Sequence, residues 1–203
     1  MESNEITLAI LAGGAGSRMG RPKAELRVNG RPILEHLIER FAWPGPTLLV
    51  TAPGRENPPG AEAFDREAVD PAAGEGPLRG VLTALEGSAT PFVLAAAVDM
   101  PALASVHLRE LVESLRSRDG TLGLFPARLS DGRRQVEPFP GIFHVDAADV
   151  LRRRLAGGRR AVRDLVGEER FVSTDVSWEP SAWLNLNHPS DLTDLSRLGL
   201  RVR

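Results

Sequence analysis

Three short stretches of the chain are almost continuously apolar: residues 6–12 (ITLAILA), 46–51 (PTLLVT) and 91–98 (PFVLAAAV). Runs of this kind, rich in Val, Leu and Ile and lacking polar alternation, suit strands covered on both faces of a parallel sheet. Between and after them, residues 32–42, 77–87 and 101–117 carry apolar side chains at helical spacing, several with Pro near the helix start. This alternation predicts an α/β fold with a mainly parallel sheet. From 120 to 145 the texture changes: GTLGLFPARL, then Ser130-Asp131-Gly132, then RRQVEPFPGIFHV predicts a β-hairpin closed by a Gly turn. Helical patterns return at 146–156 and 159–167, followed by a weak strand at 170–174 and a final helix at 189–198. Residues 54–64 (GRENPPGAEAF) read as a Pro/Gly loop. No internal repeat or long linker interrupts the pattern. The expected architecture is one domain, 1–203: a three-layer α/β sandwich with a small β-hairpin excursion.

Composition narrows the functional classes. A formal net charge of -2 provides no electrostatic case for binding nucleic acid or a membrane surface. No apolar stretch approaches the roughly 18 residues of a membrane span. The acidic start MESNEITLAIL runs directly into a strand pattern, unlike a signal peptide. The absence of Cys excludes disulfides, thiolate metal sites and Cys nucleophiles. A cytoplasmic protein is the expectation.

The candidate chemistry begins where the first apolar run breaks into LAGGAGSRMGRPKAEL, residues 11–26. A strand entering a loop of small residues has the outline of a phosphate cradle, because glycines let backbone N–H groups approach an anion. A tight strand-to-helix turn is the simpler reading. Two familiar cradles do not fit. No Gly-Lys pair exists for a Walker A loop, and Met19 stands where a dinucleotide fingerprint needs its third glycine after Gly14 and Gly16. Of 25 basic residues 24 are Arg, so Lys23, close behind Arg18, stands out. Arg binds phosphate in a bidentate fashion and Lys supplies a compact charge, which together favour a polyphosphate site. Asp99 follows the apolar strand VLAAAV, where its carboxylate would emerge at the carboxyl edge of the sheet; a helix-starting Asp is the alternative. Asp70 follows REAV in the same way, or else starts a turn with Pro71. Asn187 reads as a cap for the final helix. The six Arg of residues 152–163 read as a solvated helix surface or as a phosphate site. His36, His107, His144 and His188 are scattered, without metal-ligand spacing, and read as surface or capping residues.

The pattern L-A-G-G-x-G-x-R-M-G-x-P-K resembles the signature of the nucleoside-triphosphate-transferase family. Within it the chain is most similar to the molybdenum cofactor guanylyltransferases. Asp70 followed by Gly76-Pro77-Leu78-Arg79-Gly80, then Asp99-Met100-Pro101, Glu137-Pro138, Gly158-Arg159-Arg160 and the Asn185-Leu186-Asn187-His188-Pro189-Ser190-Asp191-Leu192 ending all match in order. The resemblance implies a Rossmann-like nucleotidyltransferase that moves GMP from GTP to molybdenum-bound molybdopterin. It implies Mg²⁺ with Asp99 as its ligand, and Arg18, Lys23 and Asp99 as catalytic residues. The nucleotide site would use Leu11, Ala12, Gly13, Gly14, Lys23, Thr51, Asp70 and Asp99, with Asn185 and Asn187 beside the metal and second substrate. Guanine enzymes of the family carry L-A-G-G where cytidine-transferring relatives carry L-A-A-G, and residues 11–14 have the guanine form. Thr51 stands where guanylyltransferases often carry Asn; one hydroxyl cannot mimic an amide. Transient contact with other molybdenum cofactor proteins is also implied. Two rival readings remain at this point: a sister transferase using CTP or a sugar-phosphate acceptor, and a non-catalytic GTP-binding carrier.

Overall fold

The apolar runs become the centre of one sheet. In the computed structural model, which describes residues 3–14, 20, 22–54, 56–188 and 190–202, the elements in chain order begin with β1 (Ile6–Leu11), β2 (Arg27–Val28), β3 (Arg31–Pro32) and α1 (Ile33–Phe41). They continue through β4 (Thr47–Thr51), β5 (Arg66–Val69), α2 (Pro77–Gly87), β6 (Phe92–Ala97) and α3 (Ser105–Arg116). The remainder is β7 (Gly123–Ser130), β8 (Arg133–Val136), β9 (Gly141–His144), α4 (Ala148–Ala156), β10 (Phe171–Asp175) and α5 (Asp191–Arg197).

The sheet order is β10-β7-β9-β6-β1-β4-β5, with β8 paired to β7 off this path. β1 pairs in parallel with both β4 and β6, β4 with β5, and β7 with β10; β9 runs against its neighbours β6 and β7, and β8 runs against β7. From β1 the chain builds outward through β4 and β5. It then crosses through α2 to β6 on the other side of β1, so a topological switch point lies between β1 and β6. Ligand crevices of open α/β sheets form outside the carboxyl ends of the strands at such a point.

Two cores enclose the sheet. Ile6, Leu8 and Ile10 of β1 pack with α1 (Leu34, Leu37, Phe41), α3 (Leu108, Leu111) and Leu195 of α5. Ala9, on the other face of β1, packs with α2 (Leu78, Val81, Leu82) and Leu151 of α4. Each such fully buried aliphatic side chain stabilises the fold by roughly 1.5–3 kcal/mol relative to exposure. The three-layer sandwich is therefore present, with helices on both faces of a mainly parallel sheet.

Three expectations need correction. The helix expected over 101–117 begins only at Ser105. Met100 to Leu103 forms a turn, and His107 Nδ1 accepts the Ala104 N–H at 2.9 Å, which satisfies a donor at the helix start. His107 is therefore a buried capping residue and not a surface one. The helical pattern at 159–167 yields a single 3₁₀ turn, Val162–Leu165, because Gly158 and Gly167 both hold positive φ and confine it. The hairpin turns at Asp131-Gly132 as read, but β7 is a full member of the sheet, and β8 extends that sheet off the main strand path by pairing with the second half of β7. The β2–β3 ribbon is an addition that two-residue strands cannot announce by periodicity.

Candidate active site

The segments that leave the carboxyl ends of β1, β4, β5 and β6 line a cavity of about 620 Å³, which Glu137, Pro138 and Phe139 before β9 also border. That volume suits a ligand of nucleotide size. Gly13 and Gly14 border it from β1, and Leu11 forms part of the wall. Asp70, Lys23, Asp99, Asn185 and Asn187 complete it.

The centre of the site is a three-residue contact. Lys23 Nζ donates to Asp99 Oδ2 at 2.5 Å and to Asn187 Oδ1 at 2.8 Å. The Lys23 and Asp99 side chains are only 15% and 17% exposed, so the pair interacts in an environment poorer in water than the surface. Each partner arrives on a different element. Lys23 opens a 3₁₀ turn behind the glycine loop, Asp99 lies just past β6, and Asn187 comes from the C-terminal segment. That segment is tied to the site by Leu186 N–H, which donates to the Asp99 carbonyl at 2.9 Å while its side chain is fully buried. Asn185 donates to the Trp183 carbonyl at 3.2 Å.

Asp70 sits at the β5 end. Its Oδ1 accepts from Thr83 Oγ1 at 2.6 Å, and burial pushes its carboxyl above the usual carboxylate range although the Thr83 hydroxyl acts in the opposite direction. The other oxygen lies beside Gly13, where a Cβ would stand 3.4 Å from it. Thr51 and Ala12 are not brought to this cavity. They line a neighbouring one with Glu25, Glu56 and Asn57, and the Thr51 hydroxyl donates to Glu67 Oε1 at 2.9 Å. Strand alternation turns Thr51 away from the main cavity while Val50 borders it. Arg18 lies outside the described residues, as do Gly16 and Met19.

Asn187 does not cap α5 with its side chain, which is occupied by Lys23. Asp191 closes the turn instead: its Oδ2 accepts the backbone N–H groups of Asn187 and His188, both at 2.7 Å. Burial would raise the Asp191 carboxyl, but those two backbone donors hold it below the usual range. Sequence reasoning assigned Asp191 no role, although an acidic residue four positions after Asn187 is a recognisable local capping signal. Glu137 was likewise unassigned. It pairs with Arg128 at 2.8 Å, and the Arg128 guanidinium lies 5.1 Å over the Trp183 ring. Among the described residues no cluster of three or more His, Cys, Asp or Glu could hold a metal unaided, and no helix is long and apolar enough to cross a membrane.

A crevice at the switch point of a mainly parallel sheet, bordered by Gly13 and Gly14 and holding a cation between oxygen acceptors, is the arrangement with which α/β proteins receive anionic ligands across their strand ends. The chain belongs to the family described as the MobA-like NTP transferase domain, which matches residues 8–171. It is a nucleotidyltransferase of that family. It is 32% identical over 194 residues to a probable molybdenum cofactor guanylyltransferase of Deinococcus radiodurans, covering 96% of this chain and 95% of the relative. It is 30% identical over 192 residues to the molybdenum cofactor guanylyltransferase of Cupriavidus metallidurans, covering 93% of each. Among solved structures it is similar to molybdopterin-guanine dinucleotide biosynthesis protein A from Archaeoglobus fulgidus, with a TM-score of 0.75, 25% identity, and coverage of 95% of this chain and 98% of that one. The fold is shared with 2-C-methyl-D-erythritol 4-phosphate cytidylyltransferase of Thermus thermophilus, at a TM-score of 0.72 and 22% identity over 94% of this chain and 97% of that one.

Proposed function

We propose that the protein transfers GMP from GTP to the terminal phosphate of molybdenum-bound molybdopterin. An oxygen of the pterin phosphate attacks the α-phosphorus of GTP, the bond to the β-phosphate oxygen breaks, and pyrophosphate leaves. Such a displacement needs alignment and charge stabilisation and no protein nucleophile. The observation that carries the reading is the Lys23–Asp99–Asn187 contact at the strand ends, supported by relatives of similar length that bear the guanylyltransferase name.

The residues also fit a metal. The Asp99 carboxylate and the Asn187 amide oxygen both face the Lys23 ammonium, so two hard oxygen donors already converge on one cation. Mg²⁺ favours such donors, takes few from protein, and completes its shell with phosphate and water. Asp99 and Asn187 would hold it there, and its charge would offset that of the triphosphate. Lys23 then stabilises negative charge on the leaving pyrophosphate. Gly13 and Gly14 offer backbone without side chains to the nucleotide, and Asp70 accepts from its donor groups.

Titration of GTP, CTP, ATP and UTP with and without Mg²⁺, followed by turnover with the pterin, tests the proposal. GTP-selective, Mg²⁺-dependent pyrophosphate release is expected, and Asp99→Asn should require far more Mg²⁺ for its residual activity. Preferential turnover of CTP would replace the guanine reading. Tight GTP binding without pyrophosphate release would favour the carrier. An Asp99→Asn enzyme with an unshifted Mg²⁺ curve would remove the metal assignment.

A further inference from the structure

The Arg run of residues 152–163 is not a uniform solvated face, because the fold assigns its members to different contacts. Arg152 pairs with Glu86 of α2 at 2.8 Å and with Asp149 at 2.7 Å on the outer surface. Arg154 is buried and pairs with Glu168. Arg160 turns the other way, toward the segment between Asp70 and α2 that forms one wall of the nucleotide cavity.

Three contacts join Arg160 to that wall. Its guanidinium Nη1 donates to the Gly74 carbonyl at 3.1 Å. Its own carbonyl accepts the N–H of Leu78, in the first turn of α2, at 3.3 Å. Its Cβ packs against Gly76 so closely that a Cβ added there would lie 3.3 Å away. Gly74 and Gly76 hold φ of +79° and +77°, conformations that glycine adopts without penalty but also leaves readily. Ala73, Gly74, Glu75 and Gly76 all border the cavity. Glu75 is held by its pair with Arg79 at 2.6 Å, but the two positive-φ glycines on either side of it carry no side chain to pack, so the path of the wall there depends on what grips its backbone.

We propose that Arg160 is a positioning residue: it latches the Gly74–Gly76 turn in the closed form that completes the nucleotide cavity, acting on nucleotide binding and not on the chemical step. The latch joins the wall to the α4 side of the molecule, so the glycines between Asp70 and α2 provide the turn and Arg160 fixes it. The assignment of the cavity to a nucleoside triphosphate rests on the function proposed above, whereas the latch itself is a property of the unliganded chain.

The test compares Arg160→Ala and Arg160→Lys with the parent protein in two measurements. The first is amide hydrogen exchange of residues 72–78 in the protein without nucleotide. Exchange there should rise in Arg160→Ala and return most of the way in Arg160→Lys, which keeps a charged donor on a long stem. The second is kinetics with GTP. KM for GTP should rise roughly fivefold, the size of one lost hydrogen bond, with kcat within twofold and KM for the pterin unchanged. Unaltered exchange over 72–78 overturns the latch. A loss confined to KM for the pterin overturns it in favour of a phosphate site for the acceptor, and an equal fall in kcat and kcat/KM would mean that Arg160 acts on the transition state. If no nucleotide binds the parent protein, the function proposed above fails while the exchange measurement still decides the latch.

Discussion

Lys23 is the residue on which the site turns, because two oxygen acceptors from distant parts of the chain share its ammonium. In the proposed reaction its charge matters most as negative charge builds on pyrophosphate, so Lys23→Ala should lower kcat more than it weakens GTP binding. The loss of one such electrostatic donor amounts to about 3 kcal/mol, roughly a hundredfold in rate. Steady-state kinetics with GTP check this, and a variant with full kcat and only a raised KM would contradict it. Asp70 makes the opposite kind of statement. Burial raises its carboxyl, so the folded state binds the proton more tightly than the unfolded chain does. Its stabilising contribution is complete below the ordinary carboxylate range and is lost as pH rises through the raised value. Asp70→Asn keeps an acceptor for Thr83 and removes the charge. The variant should be more stable than the parent at neutral pH, and the difference should close in acid; melting curves from about pH 3, below the ordinary Asp value of about 4, up to neutrality read the sign. The same substitution should weaken GTP binding roughly tenfold, the scale of a lost charged hydrogen bond.

Among the elements, β7 shows how one small residue sets a strand pairing. Gly123 stands opposite Phe171 in the parallel β7–β10 register, and a Cβ at Gly123 would fall 2.5 Å from the Phe171 ring. Phe171 is buried in the core beneath α2 and α4 and has no free direction in which to swing. Gly123→Ala should therefore destabilise by about 1–3 kcal/mol, as overpacked cores do. Urea unfolding should show a lower midpoint at unchanged slope. The strand also reaches the site: past the core it supplies Arg128, which connects Glu137 at the cavity to the Trp183 ring ahead of Asn185. Further along the same C-terminal segment the Asp191 carboxylate steadies Asn187 by holding two backbone N–H groups.

At the scale of the whole molecule the cavity exists only when the sheet is assembled. Its walls come from segments following β1, β4, β5 and β6, from the lead-in to β9 and from the C-terminal segment. An unfolded chain cannot hold a nucleotide in this way, so a bound ligand must stabilise the fold by mass action. At a hundred times its dissociation constant, GTP with Mg²⁺ should add about 2.7 kcal/mol, or roughly 5–10 °C in Tm for a chain of this size. A thermal shift assay with the four nucleotides at equal concentration measures it. The preferred nucleotide should give the largest shift, and equal shifts from all four would deny base selectivity.

The sequence alone determined what is local. Continuous apolar runs marked β1, β4 and β6, helical spacing marked α1 and α2, and small residues after β1 marked the loop that borders the cavity, because periodicity and backbone freedom act within a few residues. The exceptional Lys23 and the strand-end Asp70 and Asp99 were legible for the same reason. What only the tertiary structure decided is partnership. No local signal places β9 between β6 and β7 in the reverse direction, since an apolar run does not encode its neighbour. None places Asn187 on Lys23, 164 positions away in the chain, or turns Thr51 toward Glu67. Nor does composition divide the Arg run, whose side chains a short helix and two glycines send in different directions: Arg152 to the surface, the buried Arg154 to Glu168, and Arg160 to the wall of the site. Burial and hydrogen-bond satisfaction are settled by what the folded chain brings within reach, and that is a property of the assembled sheet.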